Sequence, residues 1–399
     1  MNRLPLTNSV PHWGSSLNPF WIGLGRGLRR RRLRCGQRVS AVEIRGDQRV
    51  RALVEQRAGV LLAPNHAGHP DPFVLGEVAD RVRRPFHFMT AWQVFASQSR
   101  LARRVMRWHG CFSVDREGTD LRAFKEAVGI LSRGSNPLVI FPEGEVYHTN
   151  DRVTPFRDGP AAIALTAQKH SDRPVYVVPC AIKYRYATDP TPELDGVLAE
   201  LEQRLFWRPQ PKRPLADRVL RFAEGALALK EIEYLGATQP GPLPERITGL
   251  IEHVLGGVER VYGLRCRGDS IPERVKAVRR ACLDRLERFA GQPERHAEVR
   301  GHLDDVFLVV QLFSYPGDYV AERPTIERLA ETVDKFEEDV LGYAMARPRG
   351  ERSAVFQVGE PIEVDQFANG SAQPRRAARP LTDAMERSVQ VLLDEINRA

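Results

Sequence analysis

The chain has 399 residues, of which 42% are hydrophobic and 28% charged, a balance typical of a globular protein with a substantial core. The formal net charge of +8 is unevenly placed, since residues 1–60 sum to +9 and all other residues sum to −1. Nucleic-acid-binding proteins distribute positive charge over a docking face, so the charge pattern argues against that class and we expect no nucleic-acid partner.

Residues 1–38 form the first region, in which Trp13, Phe20 and Trp21 precede an arginine cluster at positions 26–34. Aromatic side chains beside cations can hold a protein at an anionic lipid surface. The same pattern also fits an ordinary amphipathic helix that covers the core and keeps its arginines in water. Because the chain has 52 Arg and only 7 Lys, an arginine cluster is weaker evidence for phosphate binding here than usual.

The second region, residues 39–185, alternates short apolar or β-branched runs with helical patterns. Such alternation predicts an α/β fold, a mixed sheet flanked by helices. The predicted strands lie at 39–44, 60–63, 86–89, 138–141 and 176–182, and predicted helices include 121–131 and 160–168.

Residues 186–350 lack strand signals and instead show helical periodicity, separated by Pro and Gly. We predict an all-α insertion of about five or six helices. Its amphipathic stretches lie at 215–235, 245–262, 274–289, 297–313 and 326–341.

Residues 351–399 return to the pattern of the α/β core. Strand-like runs occur at 354–358 and 362–364, and a last helix is predicted at 381–397. We therefore expect this segment to complete the sheet that residues 39–185 begin.

The segment 61–73 reads LLAPNHAGHPDPF, in which an apolar strand ends at Pro64 and a polar loop follows. Active-site loops commonly follow strand ends in α/β sheets. In a loop that turns back, Asp71 can accept a hydrogen bond from one ring nitrogen of His66, which fixes the tautomer and leaves the other nitrogen free to take a proton. The spacing alone fits a histidine that caps a turn equally well.

Three further blocks follow in order: GCFSVDR at 110–116, LVIFPEGE at 138–145 and VYVVPCAIKY at 175–184. Together with N-H-x-x-x-x-D they resemble the glycerolipid acyltransferase family, whose members acylate glycerol 3-phosphate, lysophosphatidate and related lysophospholipids. The resemblance covers residues 39–185 and extends to VGEPI at 358–362, which resembles the family's closing strand. It implies a core like that of glycerol-3-phosphate acyltransferases, interrupted by the helical insertion.

The resemblance implies a role for each matching residue. His66 is the general base that deprotonates the acceptor hydroxyl, and Asp71 orients it. Arg116 binds the acceptor's phosphate, a task suited to a planar guanidinium. Glu143 holds the acceptor or Arg116, and Gly144 lets the backbone approach closely. Without the resemblance, Arg116 would be interpreted as part of a surface ion pair.

Two positions depart from the family pattern. Gly68 stands where a serine usually follows the histidine by two positions, and Glu145 stands where Thr or Ser usually continues the third block. An acid beside a phosphate site is electrostatically unexpected, and it points to a different head group or a shifted phosphate contact. In the downstream VTPFRDG stretch, Arg157 could restore positive charge at the phosphate site.

Other interpretations of the polar residues are weaker. His66, His69 and Asp71 could ligate a metal, but their loop contains two prolines and no third histidine lies nearby. Residues 302–305 hold one His and two Asp on a predicted helix, where a solvated face is the simpler expectation. The GLGRG run at 23–27 follows no strand, which disfavours a nucleotide-binding loop. We expect neither a bound metal nor a bound cofactor.

The five cysteines form no Cys-x-x-Cys pair, which predicts a reducing compartment and no disulfide framework. Cys111 is expected to be a small buried residue rather than a nucleophile. No run approaches the roughly 20 apolar residues of a spanning helix, and no secretory signal is apparent. The cysteines are Cys35, Cys111, Cys180, Cys266 and Cys282.

These observations predict an O-acyltransferase that moves a fatty acyl chain from acyl-CoA or acyl carrier protein to a phosphate-bearing lysolipid. The first expected acceptor is 1-acyl-glycerol 3-phosphate, which gives phosphatidate. Alternatives are another lysophospholipid, glycerol 3-phosphate or an amino-alcohol lipid, and, from a different class, a catalytically idle lipid-binding scaffold. The insertion could cap the acyl channel, dock on a membrane or mediate dimerisation. We expect a cytoplasmic protein, peripheral at the inner face of the membrane.

Overall fold

The computed structural model of the protein describes residues 10–116, 120–264, 270–368 and 374–398, so Cys266 and positions 1–9 of the N-terminal region lie outside the described residues. The chain forms two compact units. Within the described residues, the sheet unit comprises 11–189 and 348–398, and the helical unit comprises Pro190–Arg347.

The sheet unit is built on a mixed, mostly parallel sheet. Its strands in the described residues are β1 (Val39–Arg45), β2 (Gly59–Pro64), β3 (His87–Ala91), β4 (Cys111–Val114), β5 (Leu138–Val139), β6 (Val175–Tyr186), β7 (Arg352–Val358) and β8 (Ile362–Glu363). Their order is β1-β7-β6-β2-β5-β3-β4, with β8 beside β6. Only the pairs of β6 with β7 and β8 are antiparallel.

Helices cover both faces of this sheet, which confirms the predicted fold class. In chain order, the described helices of the unit are α1 (Pro19–Arg31, continued by a π-helical turn over Arg32–Gly36), α2 (Asp47–Glu55), α3 (Asp71–Val82), α4 (Trp92–Ala96), α5 (Arg100–Trp108), α6 (Leu121–Arg133), α7 (Gly159–Lys169), α15 (Asp365–Ala368) and α16 (Pro374–Arg398).

The central strand β2 explains why two helical layers are needed. Successive side chains of a strand point to opposite faces of the sheet. Leu61 and Ala63 therefore enter one core, shared with α6, α7 and α16, while Val60 and Leu62 enter another, shared with α2 and α3. A strand buried on both faces is apolar throughout, as is typical of parallel sheets covered by helices.

The helical unit contains seven helices in the described residues, one of them a single turn. The apolar stripe expected from the i, i+3, i+4 spacing is buried: Leu250, Val254 and Val258 of α10 pack in a common core with α11 and α12. The helices are α8 (Thr191–Arg204), α9 (Leu215–Leu235), α10 (Leu243–Tyr262), α11 (Ile271–Arg288), α12 (Pro293–Phe313), α13 (Tyr319–Glu322) and α14 (Ile326–Val340).

One local expectation was wrong for a structural reason. The strand predicted at 138–141 is shorter, because the chain leaves the sheet after Val139 and the Phe141 ring turns to stack on His66. As expected, the GLGRG run is not a phosphate-binding loop, because it lies inside α1. Among the described residues, no helix combines the length and apolar character needed to cross a bilayer.

Candidate active site

Three loops of the sheet unit meet at one edge of the sheet. Strands β2, β5 and β4 run parallel with the strands between them, so their carboxyl ends lie on the same side. His66 follows β2, Arg116 follows β4, and Glu143 follows β5. Parallel strands thus bring together residues that are far apart in the sequence, as is usual for ligand sites in such folds.

His66 and Asp71 form a hydrogen-bonded pair. The distance between His66 Nδ1 and Asp71 Oδ2 is 2.8 Å. A carboxylate can only accept, so Nδ1 carries the hydrogen and Nε2 keeps a lone pair. The His66 ring also stacks on Phe141, with 4.0 Å between centroids, and keeps 18% of its side-chain surface exposed. The ring is therefore held on one side and remains accessible for proton transfer.

The Asp71 carboxylate is fully buried and is held by several donors. Its Oδ2 also accepts the Gly68 N–H (3.0 Å), and its Oδ1 accepts the Tyr184 hydroxyl (2.7 Å). Burial, with Asp71 beside it, raises the pKa of Tyr184 well above its ordinary value, so this hydroxyl keeps its hydrogen. Asp71 is also the first residue of α3, where the helix dipole favours a negative charge.

The Glu143 carboxyl group accepts hydrogen bonds from the backbone of two loops. Its Oε1 accepts the backbone N–H of His66 (2.7 Å), and its Oε2 accepts the backbone N–H of Thr154 (3.0 Å). The carboxyl group thus ties the His66 loop to the loop that follows β5. Burial raises its pKa to about 7, although both N–H groups favour the ionised form.

Two asparagines that the sequence analysis missed hold the strand behind the site. Asn65 donates to the carbonyl of Ile182 (3.0 Å) and accepts its N–H (2.7 Å). Asn150 makes the same pair of bonds with Tyr184, at 2.7 and 2.8 Å. Beyond the end of β2, the two side-chain amides make the hydrogen bonds to the β6 backbone that a neighbouring strand would otherwise make. These bonds fix Tyr184 beside Asp71. The sequence shows an asparagine directly before His66, but it does not reveal that its partner is Ile182, 117 residues later in the chain.

Arg116 forms an ion pair with Glu145, the acid that departs from the family pattern. The distance between Arg116 Nη1 and Glu145 Oε2 is 2.7 Å, and their side chains are 18% and 27% exposed. Arg116 also donates to the Gly144 carbonyl, and Arg157 donates to the Arg116 carbonyl at 3.4 Å. Gly144 has φ +77°, and a Cβ there would lie 2.7 Å from Arg157 Nε. Glycine is thus required for both conformation and space.

Residues 41–183 match the family model for acyltransferases. This part of the sheet unit is similar to an acyltransferase domain. The matched range contains the His66–Asp71 pair, Arg116, Glu143 and Arg157, whereas the described helical unit lies outside it. No curated protein matches the chain.

The competing interpretations of the His66 loop can now be compared with its geometry. The oxygens of Asp71 are engaged by His66, Gly68 and Tyr184, so the carboxylate serves the histidine rather than a metal. His69 instead packs its ring edge-to-face on His148, at 5.6 Å. These contacts leave His66 Nε2 as the group suited to accept a proton.

The sequence offered two further candidate sites, Cys111 and residues 302–305. Burial raises the pKa of the Cys111 thiol to about 12, so it is not a thiolate nucleophile near neutral pH. In the helical unit, His302 lies 3.2 Å from the Tyr262 hydroxyl, and Asp305 accepts the Tyr234 hydroxyl at 2.8 Å. These contacts connect neighbouring helices of that unit.

Proposed function

We propose that the protein transfers a fatty acyl chain from an acyl thioester to the hydroxyl of a phosphate-bearing lysolipid. The observation that carries the proposal is the His66–Asp71 pair, with a 2.8 Å hydrogen bond and a carboxylate that is fully buried. This arrangement matches what a general base near neutral pH requires.

The reaction proceeds by direct attack. His66 Nε2 takes the hydrogen of the acceptor hydroxyl as its oxygen bonds to the thioester carbonyl carbon. The carbon–sulfur bond then breaks, and the thiol leaves with the proton that His66 returns. Base assistance of this kind accelerates such reactions about 10²–10⁴-fold, and holding donor and acceptor together supplies a further part of the rate. No covalent bond to the protein is needed.

The acceptor we propose is 1-acyl-glycerol 3-phosphate, and the product is phosphatidate. Arg116 and Arg157 place two guanidinium groups beside Gly144, and guanidinium forks suit phosphate oxygens. The donor is acyl-CoA or acyl carrier protein. The reaction needs no bound cofactor, because the thioester C–S bond and the acceptor O–H bond that break, and the ester and thiol bonds that form, all belong to the substrates and products.

A second acceptor class is favoured by one observation. Glu145 already neutralises Arg116 at 2.7 Å, so a phosphomonoester with two charges must compete with an internal carboxylate. A lysophospholipid with a phosphodiester, or an amino-alcohol lipid whose ammonium would meet Glu145, avoids that competition. Glycerol 3-phosphate shares the phosphomonoester and would face the same carboxylate.

We also propose that the sheet unit works at the cytoplasmic face of a membrane through α1. Phe20, Leu24 and Leu28 lie one turn apart and are 69%, 68% and 71% exposed. Arg31 and Arg34 are exposed beside them. Apolar residues and cations together bind anionic lipid more strongly than either alone. Ion pairs with Glu77 and Asp80 of α3 engage Arg26, Arg29 and Arg30, and the Arg32 guanidinium lies over the Phe73 ring at 5.9 Å.

An acceptor panel tests this proposal. The purified full-length protein receives a labelled acyl thioester with 1-acyl-glycerol 3-phosphate, other lysophospholipids, glycerol 3-phosphate or an amino-alcohol lipid. We expect the label in phosphatidate. Transfer to a zwitterionic acceptor alone would move the assignment to the second class. No transfer to any acceptor, together with saturable lysolipid binding, would favour an idle lipid-binding scaffold and contradict the proposal.

A further inference from the structure

The helical unit presents an exposed aromatic residue between α8 and α9. Phe206 is 98% exposed, and its backbone has φ +59°, a left-handed conformation that large side chains rarely adopt. A phenylalanine side chain is normally buried in the core, and a position with positive φ is normally occupied by glycine. Its presence in water therefore suggests selection for contact with something outside the chain.

The loop around Phe206 is held in place by side-chain packing and backbone hydrogen bonds. Trp207 lies against Gly225 of α9, where an added Cβ would come within 2.2 Å of the indole. The Trp207 ring also packs edge-to-face on Phe222, at 6.3 Å, and carries the guanidinium of Arg221 at 5.5 Å. Backbone bonds from the N–H groups of Phe206 and Trp207 to α8 close the turn. With Trp207 docked inward, Phe206 is held outward.

Four cations lie close to Phe206 in the sequence. Arg204, Arg208, Lys212 and Arg213 are all exposed and form no ion pair with the described residues. The nearby acid Glu202 is buried and is held by Arg218 in a two-bond pair, at 3.0 and 2.9 Å. The surface therefore combines one protruding apolar group with four solvated positive charges within ten residues.

We propose that residues 204–213, here called the Phe206 loop, dock the helical unit on an anionic bilayer. Phe206 enters the region between head groups and acyl chains, and the four cations meet lipid phosphates. An acidic protein would satisfy the cations, but it would not by itself account for a single aromatic side chain held clear of the protein surface. The proposal rests on the proposed function only in that a lipid acceptor must be drawn from a membrane.

Vesicle binding by the full-length protein tests the Phe206 loop. The probe is a set of vesicles that mix phosphatidylcholine and phosphatidylglycerol, compared with pure phosphatidylcholine. We expect Phe206→Ser to weaken binding to the anionic vesicles about tenfold, and Arg208→Glu to weaken it roughly tenfold at low salt. Matched controls are Ile232→Ser, a 51% exposed residue of α9, and Arg300→Glu on α12; both are expected to bind as the wild type does.

A second variant separates docking from folding. Phe206→Gly relieves the left-handed backbone, so we expect the melting temperature to rise while vesicle binding falls about tenfold. A purely structural phenylalanine would instead lose melting temperature on the same change. Equal binding by wild type, Phe206→Ser and Phe206→Gly would overturn the proposal and would leave the cations for an acidic protein partner.

The outcome does not depend on acyl transfer. A protein that binds vesicles through Phe206 but acylates no acceptor would support the docking surface and contradict the proposed function. A protein that acylates lysolipids with unchanged vesicle binding in the loop variants would do the reverse.

Discussion

The two ends of the active site are built differently. At one end Asp71 is fully buried and accepts three hydrogen bonds, so His66 has one orientation. At the other end Arg116 and Glu145 form an ion pair that is 18% and 27% exposed, and a ligand can compete for it. The fixed end, His66 and Asp71, suits proton transfer, a step that every hydroxyl acceptor requires. The exchangeable end, Arg116 and Glu145, suits recognition of the acceptor's head group, which distinguishes one acceptor from another.

The strongest test of the fixed end is Asp71→Asn. The amide keeps the size of the carboxylate, but a donating NH2 group replaces one of its two oxygens, so it cannot accept from His66, Gly68 and Tyr184 together. It also carries no negative charge to stabilise the imidazolium of His66. We expect kcat/KM to fall about 10²–10⁴-fold, which raises the barrier by roughly 3–5 kcal/mol. The KM for the acceptor should change little. A fall of less than threefold would show that the pair does not position the base.

Glu143→Gln tests how far the fixed end depends on a buried acid. Since its pKa rises from 4.5 to about 7 on folding, the folded state holds a proton that the unfolded chain has released. The resulting stability is complete below pH 4.5 and is lost as the pH rises through 7. Between about pH 5 and 7, the wild type should lose roughly 1.4 kcal/mol of unfolding free energy per pH unit relative to the glutamine variant.

Urea unfolding of both proteins across this range measures that difference. Parallel curves for wild type and Glu143→Gln would mean that Glu143 is ionised throughout, and that its two N–H bonds outweigh its burial.

Tyr184→Phe removes one donor from Asp71 and should have a smaller effect. The buried Oδ1 then lacks the hydroxyl it now accepts at 2.7 Å, which costs about 1–3 kcal/mol of stability. We expect the activity to fall by about tenfold or less. Tyr176→Phe is the matched control on β6, because the Tyr176 hydroxyl makes no hydrogen bond with the described residues. A control as unstable as Tyr184→Phe would point to general packing instead.

The exchangeable end is tested by Glu145→Gln, with the smallest expected effect. Once Glu145 no longer neutralises Arg116, the KM for a phosphomonoester acceptor should fall about fivefold at low salt, or roughly 1 kcal/mol, and the gain should shrink in high salt. Glu43→Gln, which removes the surface partner of Arg45, is the control. A raised KM would show that Glu145 itself binds the acceptor.

The sequence predicted the site where the signals are local. The five-residue spacing of His66 and Asp71, together with the three blocks that follow, predicted their pairing, because a tight loop that enters a helix at Asp71 leaves few ways to arrange the two side chains. The alternation of strands and helices likewise predicted the layers, since the central strands β2 and β6 had to be buried on both faces.

The rest depended on contacts across the sheet. Nothing in the sequence indicated that the Glu143 carboxyl group holds the backbone of His66, 77 residues earlier in the chain. Asn65 reaches Ile182 across 117 residues. No periodicity encodes such pairs, because they arise only when parallel strands align their carboxyl ends. The pairing of Arg116 with Glu145 could have been suspected from the opposite charges of the two blocks.

The central claim is that His66 activates the acceptor hydroxyl for direct attack on the thioester. The most direct measurement is the rate of label transfer from an acyl thioester to 1-acyl-glycerol 3-phosphate by wild type, His66→Ala and Cys111→Ala. We predict a loss of at least about 10²-fold for His66→Ala, an unchanged rate for Cys111→Ala, and no label on acid-precipitated protein. Transfer by His66→Ala within a few-fold of wild type, or a labelled protein that passes its label to product, would contradict the account.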